Sequence, residues 1–203
     1  MASNWTIKRT SSPSELPLSL AEVKAHLRLN QNDPTHDENL NLLIEAAVER
    51  LQQDLDRQFI SSTYEQTQFC WVDAGQSSRY GDEVKIHKKA VTTVSSVAYT
   101  GEDGIEQTLD PSAYVFDPAR GSLFPTPGTQ WPSLQADNPS AVKISFSAGY
   151  GADGGCIPRL FKAALLLCIG KWFFDPAQEG SALHSQEVAY ERIVALLMRS
   201  SYP

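Results

Sequence analysis

The sequence predicts an α+β fold. An N-terminal helical hairpin and C-terminal helices are expected to form a helical bundle, with an antiparallel β region inserted between them. Three observations lead there. From Asp37 to Phe59, Leu40, Leu43, Ile44, Ala47, Leu51 and Leu55 fall at helical spacing. Glu38, Glu45, Glu49, Asp54 and Asp56 take the other face, and no Gly or Pro interrupts. The middle of the chain, about 63–148, is rich in the β-branched and aromatic residues that suit strands. From Ala163 to Phe174 only Gly170 and Lys171 are not apolar, as in a helix covered on most sides. Helices, then strands, then helices is an α+β order rather than an alternating βαβ one.

Residues 1–17 are polar and carry Pro13 and Pro17, which reads as an extended arm ordered only where something holds it. Ser19 and Glu22 have the spacing of a capping box, so a helix is expected over 19–29 with Leu20, Val23 and Leu27 facing inward. Asp33-Pro34 breaks it before the long helix over 37–59, and a short polar loop favours antiparallel packing of the two. Strands are expected at 63–71, 84–87, 91–100 and 105–109, the last two a hairpin around Gly101–Gly104. Short candidates follow at 114–116 and 122–124, and then a Pro-rich connection around Trp131. Ala141 to Ala148 alternates cleanly, with Val142, Ile144 and Phe146 on one side. Pro158 suits the first turn of a helix running to Phe174, and 178–184 reads as a loop. A last amphipathic helix spans 185–199, with Ala189, Ile193, Leu196 and Leu197 on one face. The organisation expected is an arm at 1–17, a domain over 18–174, and a C-terminal loop, helix and tail at 175–203.

Composition limits the function. With 41% apolar and 20% charged residues the chain is globular. A formal charge of -7 argues against tight binding to phosphate backbones, which needs clustered Lys and Arg, and suits a surface that DNA passes without adhering. Cys70, Cys156 and Cys168 are odd in number and irregularly spaced, so no disulfide framework is expected, and Cys168 in its apolar run reads as a small buried hydrophobe. The longest apolar run, Ala163 to Ile169, is far below the roughly 18 residues of a membrane span, and no membrane partner is expected.

Little catalytic chemistry is legible. Gly149-Tyr150-Gly151-Ala152-Asp153-Gly154 matches G-x-G-x-x-G between a strand and a helix. Yet no strand follows that helix to complete a βαβ unit, and the ribose-binding acid has no place, so a flexible turn is the better reading. His26, His36, His87 and His184 are scattered, without the i, i+4 spacing of a helical metal site. Lys85, His87, Lys88 and Lys89 make the one basic patch, better suited to discouraging strand pairing than to holding phosphate. No catalytic residue, metal or cofactor is expected.

Several stretches in combination look like one family. They are Leu18 to Arg28 (LSLAEVKAHLR), the acidic turn Asp33–Glu38 leading into Leu42 to Ala47, and the Val94–Tyr99 strand with its Gly101–Gly104 turn. Ala148 to Gly151, Ile157-Pro158 and the helix from Ala163 to Trp172 complete the set. In order and spacing the chain resembles the head–tail connector (adaptor) proteins of long-tailed phages and related gene-transfer particles, also labelled phage DNA-packaging proteins. The likeness runs from about Leu18 to Phe174. It departs at Phe173-Phe174-Asp175-Pro176, where similar proteins carry a Tyr-Glu-Asn-Arg-like stretch, and segment 117–140 has no clear counterpart.

The resemblance implies a structural protein of the virion neck, present in the host cytoplasm during assembly. It implies a ring of about twelve copies beneath the portal protein, a downstream stopper or tail-completion protein, and DNA passing through without sequence-specific binding. A ring requires that one face of each subunit meet a different face of the next. The interface residues expected from the two apolar helices and the C-terminal helix are Leu43, Ala47, Leu51, Leu165, Ile169, Trp172, Phe173, Ile193 and Leu197. The competing readings are another neck protein (a stopper or terminator, expected to be mainly β), a nucleotide-binding enzyme using Gly149–Gly154, and a host-directed interaction domain.

Overall fold

The structure, a computed structural model, describes residues 4–13, 15–72, 82–174 and 184–199. The chain divides into two compact units. One is built from 1–12 and 61–149, the other from 13–60 and 150–203.

The second unit holds the helices. Helix α1 (Leu20–Leu27) starts at the expected capping box: the Glu22 amide donates to Ser19 Oγ at 3.2 Å, and the Ser19 amide donates to Glu22 Oε2 at 2.8 Å. It stops at Arg28, whose φ of 58° is left-handed. Helix α2 (Asp37–Leu55) ends short of Phe59, because Asp56 turns left-handed (φ 50°) and closes the last turn onto Gln52 and Gln53. Residues 57–60 then run alongside the glycine segment: the Tyr150 amide donates to the Phe59 carbonyl at 2.8 Å, and Ile60 bridges Gly151 in parallel. Helices α3 (Arg159–Phe174) and α4 (His184–Arg199) follow. Of the expected loop at 178–184, residues 178–183 lie outside the described residues and His184 already belongs to α4.

The core of this unit gathers Val23 and Leu27 of α1, Leu40, Ile44, Ala47 and Leu51 of α2, Phe161, Leu165 and Ile169 of α3, and Tyr190, Val194 and Leu197 of α4. Helix α3 packs against the other three helices, which explains an apolar surface on nearly every side.

The first unit holds the strands, with a one-turn 3-10 helix at Pro111–Ala113. Its main sheet has the order β1 (Trp5–Arg9), β2 (Ser62–Gln68), β8 (Val142–Ala148), β4 (Val91–Thr100), β5 (Glu106–Thr108), with every neighbouring pair antiparallel. The second sheet has the order β3 (Val84–Lys85), β7 (Ser122–Pro125), β6 (Tyr114–Asp117), also antiparallel. Val142, Ile144, Phe146 and Ala148 of β8 bury alternate side chains, as their spacing predicts. On β2 the same inward positions hold two glutamines. Gln66 is 0% exposed; its Nε2 donates to the Lys85 carbonyl and its Oε1 accepts from the His87 amide, both at 2.8 Å. One side-chain amide thus stands in for a strand and holds segment 85–87 to the sheet.

The fold class needs correcting. The chain is mixed α+β, but its strands form two antiparallel sheets rather than one inserted region, and the first strand, β1, precedes every helix. The expected helical bundle is overturned too. Helix α1 has 8 residues, about 12 Å of rise, and cannot run alongside the 19 residues of α2 as the first arm of a bundle. What unites the four helices is shared contact with α3.

Candidate assembly interface

Sequence alone nominates nine interface residues, and the structure separates them by burial. Ala47, Leu51, Leu165, Ile169 and Leu197 lie in the interior of the helical unit. Their side chains meet this chain's own helices, so a neighbouring copy cannot touch them in this packing. Leu43, Trp172, Phe173 and Ile193 are half-buried and pack at the margin of that core. Four apolar side chains that the nomination omits stand outside it: Leu42 is 64% exposed, Leu196 and Met198 are 59%, and Phe174 is 58%. Leu196 was expected on the inward stripe of α4, but Tyr190, Val194 and Leu197 fill that stripe. The signal available in sequence was an apolar residue lying off the stripe, as Leu42 does on α2.

Polar pins fix these helices relative to one another. Lys24 is 3% exposed; it donates to the carbonyls of Asp33 (2.8 Å) and Gln31 (3.3 Å) and pairs with Asp37, so one cation closes the turn between α1 and α2. Lys162 of α3 bonds Glu22 at 2.8 Å. That bond, then the Ser19 amide, holds the Glu22 carboxyl below its ordinary range. On α2, Arg50 lies 4.9 Å from the Tyr190 ring and 5.8 Å from the Trp172 ring. The Tyr190 hydroxyl donates to Asp54 at 2.8 Å, and Lys171 meets Glu187 at 2.7 Å. Burial, then the bond to Asp54, pushes the Tyr190 phenol well above its ordinary value. Burial also raises the Cys168 thiol to about 11, as expected of a cysteine acting as a core hydrophobe. Sequence reading missed Lys24, Arg50 and Tyr190, because pairing across helices leaves no local pattern.

The glycine run makes no cradle. A Cβ on Gly151 would sit 2.4 Å from Cys156 Cβ, and one on Gly154 would sit 2.6 Å from the Pro17 carbonyl oxygen. The glycines let the chain pack on itself at the space a pyrophosphate would need. Asp153 caps the one-turn 3-10 helix at 154–156 by accepting from the Gly155 amide at 2.7 Å. Among the described residues no group of three or more His, Cys, Asp or Glu is placed to hold a metal, and no helix is long and apolar enough to cross a membrane. His36 sits at the start of α2 with its ring edge-on to Phe173, and His87 stacks on Trp5 at 4.3 Å. Lys85, of the basic patch, lies on β3, an edge strand of the smaller sheet.

The family model described as phage gp6-like head-tail connector protein matches residues 17–108. The match is confined to this segment, somewhat less than half of the chain. It takes in α1, α2, β2, β3, β4 and β5, and so contributes to both units. No curated protein matches the chain. Over nearly the whole chain there is also a likeness of fold. A chain in the neck of an empty gene transfer agent particle, computed with C6 symmetry, shares 21% identity with a TM-score of 0.68. That alignment covers 93% of this chain and 94% of the other. A chain in the virion of the native gene transfer agent shares 20% identity at a TM-score of 0.68, covering 92% and 93%. A third, in the neck of the native particle computed with C12 symmetry, shares 19% at 0.63, covering 93% and 94%.

Proposed function

We propose that this protein is a structural component of a phage-type virion neck, a head–tail connector that stands as a ring beneath the portal and lets DNA pass from head to tail. The observation that carries this reading is a coincidence of two independent likenesses. Residues 17–108 match the connector family, while nearly the whole chain shares its fold with chains from gene transfer agent necks. Those necks were computed with C6 and C12 symmetry, which supports an oligomeric ring and, in our reading, about twelve copies. The portal above and a stopper or tail-completion protein below are the partners this position requires. No catalytic step is assigned. Net charge of -7 suits a channel wall to which DNA does not adhere.

We assign the contacts of the helical unit to its apolar margin rather than its core: Leu43, Trp172, Phe173 and Ile193, with the exposed Leu42, Phe174, Leu196 and Met198 beside them in sequence. The division into an arm, a domain over 18–174 and a C-terminal region is kept as the working description of which parts dock. Light scattering with and without the portal protein tests the reading. A ring-sized complex is expected with the portal present, and a species that stays monomeric and portal-free at all concentrations overturns it.

A further inference from the structure

The main sheet of the strand unit has two edges, and they differ in chemistry. Edge strand β1 pairs only with β2 among the described strands. Its ladder can be phased. The Phe69 amide donates to the Asn4 carbonyl at 3.2 Å and the Thr10 amide to the Thr63 carbonyl at 2.9 Å. With this register the hydrogen-bonded pairs fall on Asn4, Thr6, Lys8 and Thr10. The backbone N–H and C=O groups of Trp5, Ile7 and Arg9 therefore point away from the sheet. At the other edge, the Gly101 amide donates to the Ile105 carbonyl (3.1 Å) and the Leu109 amide to the Val97 carbonyl (2.8 Å). The groups of Glu106 and Thr108 on β5 then point outward.

Side chains at the two edges are complementary. β1 carries Lys8 and Arg9, both exposed, with no acid in the strand, and Trp5 and Ile7 are half-buried beside them. The β4–β5 hairpin carries Glu102, Asp103, Glu106 and Asp110 with no base between 101 and 110, and Ile105 stands 60% exposed. Glu106 is already paired with Lys143, and Asp103 and Asp110 each use Oδ1 on a local amide, of Ile105 and Ser112, so Glu102 and the second carboxylate oxygens of Asp103 and Asp110 are what this edge offers a second chain. The rest of the β4 edge is blunted by two register shifts, where Thr92 and Ser95 side chains bond the carbonyls of Ser147 and Ser145. A basic edge and an acidic edge at opposite ends of one sheet cannot meet within one subunit. They can meet between two.

We infer that the β1 edge of one copy pairs with the β5 edge of a second copy, continuing the main sheet from subunit to subunit. The contact is heterologous, so it propagates around a ring and closes with it. In an antiparallel register the outward groups of Arg9 meet those of Glu106 and the outward groups of Ile7 meet those of Thr108, which turns the basic end of β1 toward the Glu102–Asp103 turn. This rests on the ring reading above and specifies which edges join.

Hydrogen exchange on the full chain, free and assembled with the portal, tests it, together with Ile7→Pro. That substitution removes an outward N–H and leaves every β1–β2 bond intact. On assembly the Ile7, Arg9, Glu106 and Thr108 amides are expected to slow by about 100-fold, and Ile7→Pro, which gives up some packing on the sheet core, is expected to lose assembly while its Thr6, Lys8 and Thr10 amides stay protected by β2. If the wild type assembles while these amides exchange as fast as in the free chain, the edge pairing is overturned and the connector reading stands. Assembly of Ile7→Pro at wild-type level overturns it likewise. A wild type that never assembles overturns both.

Discussion

Replacing Lys24 by Met isolates the pin between α1 and α2. Met keeps the length and most of the volume of the stem but removes the ammonium. Three acceptors lose their donor: the Asp33 carbonyl at 2.8 Å, the Gln31 carbonyl at 3.3 Å and the Asp37 carboxylate. Breaking a buried ion pair by removing one member costs about 3–5 kcal/mol. The Asp37 side chain is 32% exposed and regains water, which places the expected loss near the lower end, about 3 kcal/mol. In a chain of this size each kcal/mol moves the midpoint by roughly 2–4 °C, so a drop of about 6–12 °C is expected by thermal circular dichroism. Asp37→Asn is the informative companion. It removes the ion pair but leaves both carbonyls ligated, and is expected to cost less than Lys24→Met. A Lys24→Met variant within about 0.5 kcal/mol of wild type, or an Asp37→Asn variant that is the worse of the two, would refute the reasoning that carbonyl ligation closes this turn.

Three more outcomes follow from the same contacts. Leu51→Ala opens a cavity in the helical core and is expected to cost about 3–4 kcal/mol, whereas exposed Leu42→Ser changes urea stability by less than about 0.5 kcal/mol yet weakens assembly with the portal. Gln66→Leu strands the Lys85 carbonyl and the His87 amide in the strand unit, and a loss of about 2–4 kcal/mol in denaturant titration is expected; a neutral result would mean that segment 85–87 is held otherwise. Glu22 has a carboxyl lowered in the folded state, so its contribution is present above the ordinary carboxylate value and is lost as pH falls through the folded one. Glu22→Gln should therefore destabilise at neutral pH and flatten the acid limb of the stability curve, a difference that vanishes when both proteins are compared below that limb.

Local chemistry was legible in the residues. The capping box at Ser19 and Glu22 places the start of α1, and strict alternation over 142–148 marks β8, because each depends on near neighbours. What depends on distant partners was not. β1 is a short polar stretch whose strand character comes from β2, more than 50 residues away, with Trp5 facing Gln68. The end of α2 is set by a left-handed Asp56, a position without the Gly that usually signals it. Periodicity finds the apolar face of a helix but not what covers it. Leu51, Leu165 and Leu197 therefore read as interface candidates from sequence, and the fold covers them with the chain's own helices. Buried Gln66 and Lys24 carry no local mark at all; only the structure brings their acceptors within reach.

Imaging the neck of particles that carry this gene tests the central claim most directly. Cryo-electron microscopy is expected to place a closed ring of this chain between portal and tail, with the 20–27 and 159–174 helices and the five-stranded sheet recognisable in each subunit. Necks complete in every other component but lacking density for this chain would contradict the account.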